Sequence, residues 1–262
     1  MAFTLQDNKR IAVFIASLHN PLVRRNSLIS LLHIAALMLA ATAASADSTN
    51  APAVPRDPRY PAHWWTPVSK EGAPAWEILP QEAGPGEVIL SKRNELGLLS
   101  NFAATPFTFY GKWYASLEGF WQMMKYPEDA DDPRATFPGT KWKFTRDQVA
   151  QLTAFDAKHA GDQAETNMHT MGITWVTFEG KHMELRPVTP GDHYKLIVDA
   201  TREKVRQNPD VQKVLLATGD LVLKPDHHQE PDAAAAWRYF EILTAIRTEL
   251  QQATTNSPPH SR

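Results

Sequence analysis

The sequence predicts a mostly helical α+β domain over residues 86–252, entered through an extended, proline-rich lead-in. Three observations carry this reading. Prolines crowd residues 47–85 (Pro52, Pro55, Pro58, Pro61, Pro67, Pro74, Pro80 and Pro85), and proline lacks the amide donor that a helix or a central strand needs. Residues 106–110 and 112–114 alternate around Gly111, as a hairpin does. Beyond Ser116, apolar residues recur at helical spacing.

The elements follow in order. Arg24 and Arg25 precede an apolar run over residues 28–44, and Ala44-Ser45-Ala46 then offers small residues for cleavage. This reads as an export signal over residues 1–46, too short and alanine-rich for an ordinary span, with a retained anchor as the alternative. The expected location is periplasmic or secreted. His63, Trp64, Trp65 and Trp76 in the lead-in predict that it packs on the domain.

Residues 87–90 form a short strand. Ser116 caps a helix from Leu117 to about Tyr126, which residues 127–138 break. Residues 145–148 open another helix, carrying Val149, Leu152 and Phe155. Gly191-Asp192 precedes a long helix to about Arg206. Asn208-Pro209-Asp210 caps the next, and Gly219 ends it by supplying a left-handed residue. A last helix runs from about Ala233 to Gln251, and a disordered tail from Ala253.

Charge and composition exclude several functions. A net charge of −2 and a pI near 6.6 give no general nucleic-acid surface. With zero cysteines there is no disulfide, thiol nucleophile or Cys-ligated zinc. Asp226-His227-His228 and the acidic residues after it read as a polar loop, so no metal and no cofactor is expected. No stable membrane partner is expected after signal removal.

Chemistry concentrates in residues 98–125. Glu118, Gln122 and Lys125 fall at i, i+4 and i+7, one face of a helix. That face offers an acid or base, an amide and a cation to one ligand. The structural alternative for Glu118 is a carboxylate that merely complements the helix dipole. Phe102, Phe107, Phe109 and Phe120 read as core, and His169, His182 and His193 show no spacing that suggests a site.

Three segments in order, LSNF followed by Ser-Leu-Glu and a lysine, AFDAKHAG (154–161) and REKVRQNPDVQKVLLATGD (202–220), resemble the NADAR/YbiA-like family. The resemblance spans about residues 88–250. It implies a single YbiA-like α+β domain with a small hairpin or sheet. It also implies an N-glycosidase acting on an ADP-ribosyl or phosphoribosyl-amine substrate, such as a ribosylated nucleotide or ADP-ribosylated guanine. Glu118 is then the catalytic carboxylate. Asn101, Lys125 and Arg93 are candidates to bind ribose or phosphate, Trp121 or Tyr114 to stack on the base, and Lys158 to reach a phosphate. Asp226, in the loop where the family places pocket residues, is a further candidate.

The sequence departs from the family pattern at Gly119, where histidine is usual, and in residues 223–250, where the glycines beside Trp237 are missing. A non-catalytic nucleotide- or ADP-ribose-binding module on the same scaffold is therefore the second reading.

Overall fold

Every residue of helix α1 (Leu117–Met123) is buried. The computed structural model describes residues 56–256. The expected export signal and the first residues of the lead-in lie outside them, as do residues 257–262.

The described strands pair as three two-stranded sheets. Strands β1 (Glu87–Ile89) and β6 (Val222–Lys224) pair in parallel, joining the two ends of the domain. Strands β2 (Phe107–Phe109) and β3 (Lys112–Tyr114) form the expected antiparallel hairpin. Its turn places Tyr110 at φ 49° and Gly111 at φ 74°, the two positive values that a two-residue hairpin turn requires. Strands β4 (Trp175–Phe178) and β5 (Lys181–Glu184) repeat the device, with Glu179 and Gly180 at φ 48° and 73°.

Aromatic side chains from these pieces meet at Phe120 of α1. Tyr114 lies 4.9 Å from it, Phe178 5.5 Å and Phe109 5.6 Å, mostly edge to face. Such pairs add about 0.5–1.5 kcal/mol each beyond simple burial. Phe107, Phe109 and Phe120 are core residues, as expected, whereas Phe102 is half-buried.

The helix expected from residue 145 is two helices. In α2 (Arg146–Ala150), Thr145 and Gln148 form a capping box. Ala154 then takes φ 50°, which breaks the path before α3 (Ala154–Met171) begins. Helix α4 (Asp192–Gln207) leads through Asn208 into α5 (Pro209–Ala217). Asn208 does not cap α5 with its side chain; its amide donates to the carbonyls of Pro106 and Lys204.

The last helix, α6 (Tyr239–Asn256), starts later and ends later than expected. Ala234, Ala235 and Ala236 are buried in a loop with a 3-10 turn, so packing overrides alanine's helix propensity. Residues 253–256 of the expected tail belong to α6.

The described lead-in packs on this body. Trp64 and Trp65 are buried, and their indoles donate to Glu95 Oε1 and the Glu87 carbonyl. It is not extended throughout, since Ala62–Trp65 and Pro80–Glu82 form 3-10 turns.

Candidate active site

Residues 116–125 fold as they do because both ends of α1 are tied down. Ser116 Oγ accepts from Gly119 N at 2.9 Å and donates to the Leu152 carbonyl. The Glu118 amide donates to the Asn101 carbonyl at 2.9 Å. Gly119 is needed for this entry, because a Cβ there would stand 2.5 Å from the Leu152 carbonyl oxygen. At the other end, Arg146 donates to the carbonyls of Met123 and Tyr126, and Arg134 to that of Met124. Two guanidiniums there complement the helix dipole and satisfy its last carbonyls.

The structure keeps the polar stripe expected on α1, and it buries it. Glu118 and Gln122 are each 6% exposed and Lys125 3%. Gln122 Nε2 donates to Glu118 Oε1 at 2.7 Å. Gln122 occupies a notch opposite Gly161 of α3, where a Cβ would lie 1.8 Å from Gln122 Oε1. Glycine is therefore required at 161 for Gln122 to reach Glu118.

Electrostatics pull this stripe in opposing directions. Burial pushes the Glu118 carboxyl upward; the Gln122 hydrogen bond and the charges of Lys125, Lys158 and Lys92 only partly offset it. Burial likewise lowers Lys125, although its ion pair with Glu165 resists. Glu165, also paired with Arg186, ends below the usual carboxylate range because those two cations outweigh its burial. His193 feels the charge of Lys125. Its Nδ1 donates to the Leu185 carbonyl at 3.1 Å, and burial lowers it to about 4, so the ring is neutral. Its Nε2 is buried without a partner, as is Gln122 Oε1.

The other candidates fall into three groups. Lys158 acts on Glu118 electrostatically while pairing with Asp162, and Asn101 holds the Glu118 amide. The Asn101 side chain is half-buried and makes no hydrogen bond to another described residue. Asp226 joins through Lys92, which pairs with it; His227 Nδ1 and Tyr239 Oη also donate to it. Burial raises Asp226, but His227 and Lys92 outweigh that and hold its carboxyl low.

Three candidates are corrected. Tyr114 is 1% exposed in the aromatic core, with no face for a ligand. Trp121 is 7% exposed, its ring edge-on to His193 at 5.1 Å. Arg93 spends its guanidinium on both oxygens of Glu77, at 2.7 and 2.6 Å.

Lys92, Glu165 and Gly161 also belong to the cluster, although the spacing on α1 does not point to them. Lys158, Gly161 and Glu165 recur at i, i+3 and i+7 on α3, a periodicity that could have found them. Nothing in the sequence singles out Lys92 beside Arg93.

A ligand face at Glu118, Gln122 and Lys125 implies a concave pocket there, yet Glu118 lines neither of two shallow clefts. One, of about 350 Å³, lies between α4 and α6 beside Tyr194, Val198 and Ile242. The other, of about 460 Å³, lies on α3 beside Asp162 and Glu165, next to the Lys125 pair. Among the described residues, no group of three or more His, Asp or Glu side chains could hold a metal ion, and no helix is long and apolar enough to cross a membrane.

The sequence matches no family model, and no curated protein matches it. The structure is similar to the NMR structure of the E. coli protein YbiA, with a TM-score of 0.43 and 17% identity, covering 72% of this chain and 96% of that one.

Proposed function

We propose that this chain is an exported N-glycosidase that hydrolyses the ribose C1–N bond of an ADP-ribosyl or phosphoribosyl-amine substrate. The observation that carries the proposal is the buried stripe of Glu118, Gln122 and Lys125, ringed by Lys92, Lys158 and Glu165. The ordered resemblance of three sequence segments to the NADAR/YbiA-like family supports it.

The chemistry asks for what this stripe offers. As the C1–N bond breaks, positive charge develops on the ribose, as in glycoside hydrolysis. Glu118 stabilises that charge, and a carboxylate outside water does so more strongly than one within it. Water adds to C1, Glu118 takes its proton, and that proton passes to the leaving nitrogen. A carboxyl raised by burial exchanges protons closer to neutrality than an ordinary one. Gln122 fixes the orientation of Glu118, and half-exposed Lys158 is the proposed phosphate contact, exchanging its Asp162 pairing for the substrate.

The test is to incubate the purified protein with ADP-ribosylated guanine nucleotides and with ribosyl-amine phosphates. The proposal requires release of ADP-ribose or ribose phosphate. N-terminal sequencing of the exported protein tests the signal: a chain beginning near Asp47 supports cleavage, and an intact 28–44 run refutes it.

One observation favours the second reading, a nucleotide-binding module without turnover. Glu118 is almost closed off, and it lines neither cleft. Tight binding of ADP-ribose with no release from any substrate would select that reading.

A further inference from the structure

Two aromatic residues outside the polar stripe are tied to it through the backbone and through Lys92. Phe102 directly follows Asn101, whose carbonyl holds the Glu118 amide. The Phe102 carbonyl in turn accepts from Ala154 N at 3.2 Å, which places Phe155 one residue away. The two rings meet edge to face with centroids 5.3 Å apart. Lys92 Nζ, one of the cations acting on Glu118, lies 5.4 Å from the Phe102 ring centre. Lys158, another, is on the turn of α3 after Phe155. The ring of His159 flanks Phe155 at 6.3 Å.

Phe155 nevertheless keeps 47% of its surface exposed. A lone exposed aromatic needs no explanation. This one is buttressed by the Phe102 ring, which itself carries Lys92 over it and follows Asn101 in the chain.

We infer that Phe102 and Phe155 form the wall on which the flat nitrogen heterocycle of the substrate stacks. This rests on the proposed glycosidase site and assigns its aglycone side. Trp121 and Tyr114, the aromatic candidates from sequence, are enclosed by protein and cannot do this. An aromatic face accepts a base through stacking and dispersion whatever its hydrogen-bonding edge. The wall thus selects for a planar ring over an aliphatic amine, and Asn101 supplies a hydrogen-bonding group beside it.

Calorimetric titration of the full-length chain with GMP and with ribose 5-phosphate tests this, since the two probes share sugar and phosphate and differ by the ring. Phe155→Ala is expected to weaken GMP binding about 5- to 50-fold and leave ribose 5-phosphate unchanged. Phe155→Trp is expected to retain GMP binding. Trp113→Ala, which removes an aromatic of similar exposure from the β2–β3 hairpin, is expected to change neither. Unchanged GMP binding in Phe155→Ala, or equal weakening of both probes, overturns the wall. Ring-dependent binding without hydrolysis of any substrate leaves the wall standing and removes the glycosidase. A wild type that binds neither probe overturns the wall, while the glycosidase stands or falls separately on release of ADP-ribose or ribose phosphate.

Discussion

The two ends of α1 are both charged and buried, yet they are wired in opposite ways. At the C-terminal end, Arg134 is 1% exposed and divides its donors among Asp132, the Met124 carbonyl and Thr177, with its plane over Trp175. Arg146 binds three carbonyls of the chain leaving α1's last turn, the Thr177 carbonyl and Glu128. The charges there are saturated. Along the Glu118 face they are not. Among the described residues, Glu118 accepts one hydrogen bond, and Gln122 Oε1 and His193 Nε2 have no partner. Unpaired buried polar groups cost about 1–3 kcal/mol each. Under the proposed function, that open capacity on α1 is what a bound substrate would complete.

The contrast can be broken from the saturated end first. Arg146→Met leaves Glu128 and several carbonyls without their donor, and should cost about 3–5 kcal/mol in denaturant unfolding. Catalysis by the molecules that remain folded should be nearly unchanged.

Lys204 gives the next largest effect. Its Nζ is buried, bonded to the Ser100 carbonyl at 2.6 Å, and burial lowers it to about 7. A lysine lowered on folding contributes stability above its unfolded value near 10.4, and loses it as pH falls through 7. Lys204→Met should therefore gain about 2–4 kcal/mol relative to wild type on moving from pH 11 to pH 6. Equal pH dependence of the two proteins would show that this lysine is not buried in solution.

Gly161→Ala sharpens the comparison more finely. Its methyl would displace Gln122, costing about 1–3 kcal/mol of packing. It should also detach Gln122 from Glu118 and raise the Glu118 carboxyl further, read as a carboxyl-carbon NMR titration. Loss of stability without movement of that titration would mean that Gln122 does not orient Glu118.

The smallest effect on stability is expected at Glu118 itself. Its folded value lies above its unfolded one, so its contribution is present below the ordinary carboxylate range and lost as pH rises through the raised value. Glu118→Gln should then be the more stable protein at pH 7, by roughly 1 kcal/mol, and lose that advantage near pH 3.

The local part of this fold was legible in the sequence. Ser116 caps α1, Gly111 turns the first hairpin, and Gly219 follows α5, because each depends on one residue's own geometry. The β4–β5 hairpin carried the same kind of signal, Glu179-Gly180 between alternating residues, and went unread. The β1–β6 pairing had no local signal, since its strands are more than 130 residues apart. The site divides the same way. Spacing on one helix gave the Glu118, Gln122 and Lys125 face, whereas Lys92, Glu165 and the Phe155 edge reach it only through tertiary packing. The enclosure of Tyr114 and Trp121 was invisible because an aromatic side chain reads alike in a core and in a pocket.

The central claim is that Glu118 is a catalytic carboxylate rather than a buried dipole partner, and steady-state kinetics of Glu118→Gln test it most directly. Glutamine keeps the shape and the Gln122 contact, and removes the charge that an oxocarbenium-like transition state needs and the ground-state sugar does not. The account predicts a kcat for release of ADP-ribose or ribose phosphate lowered by about 10²–10³, with KM nearly unchanged. A kcat equal to that of the wild type would contradict it.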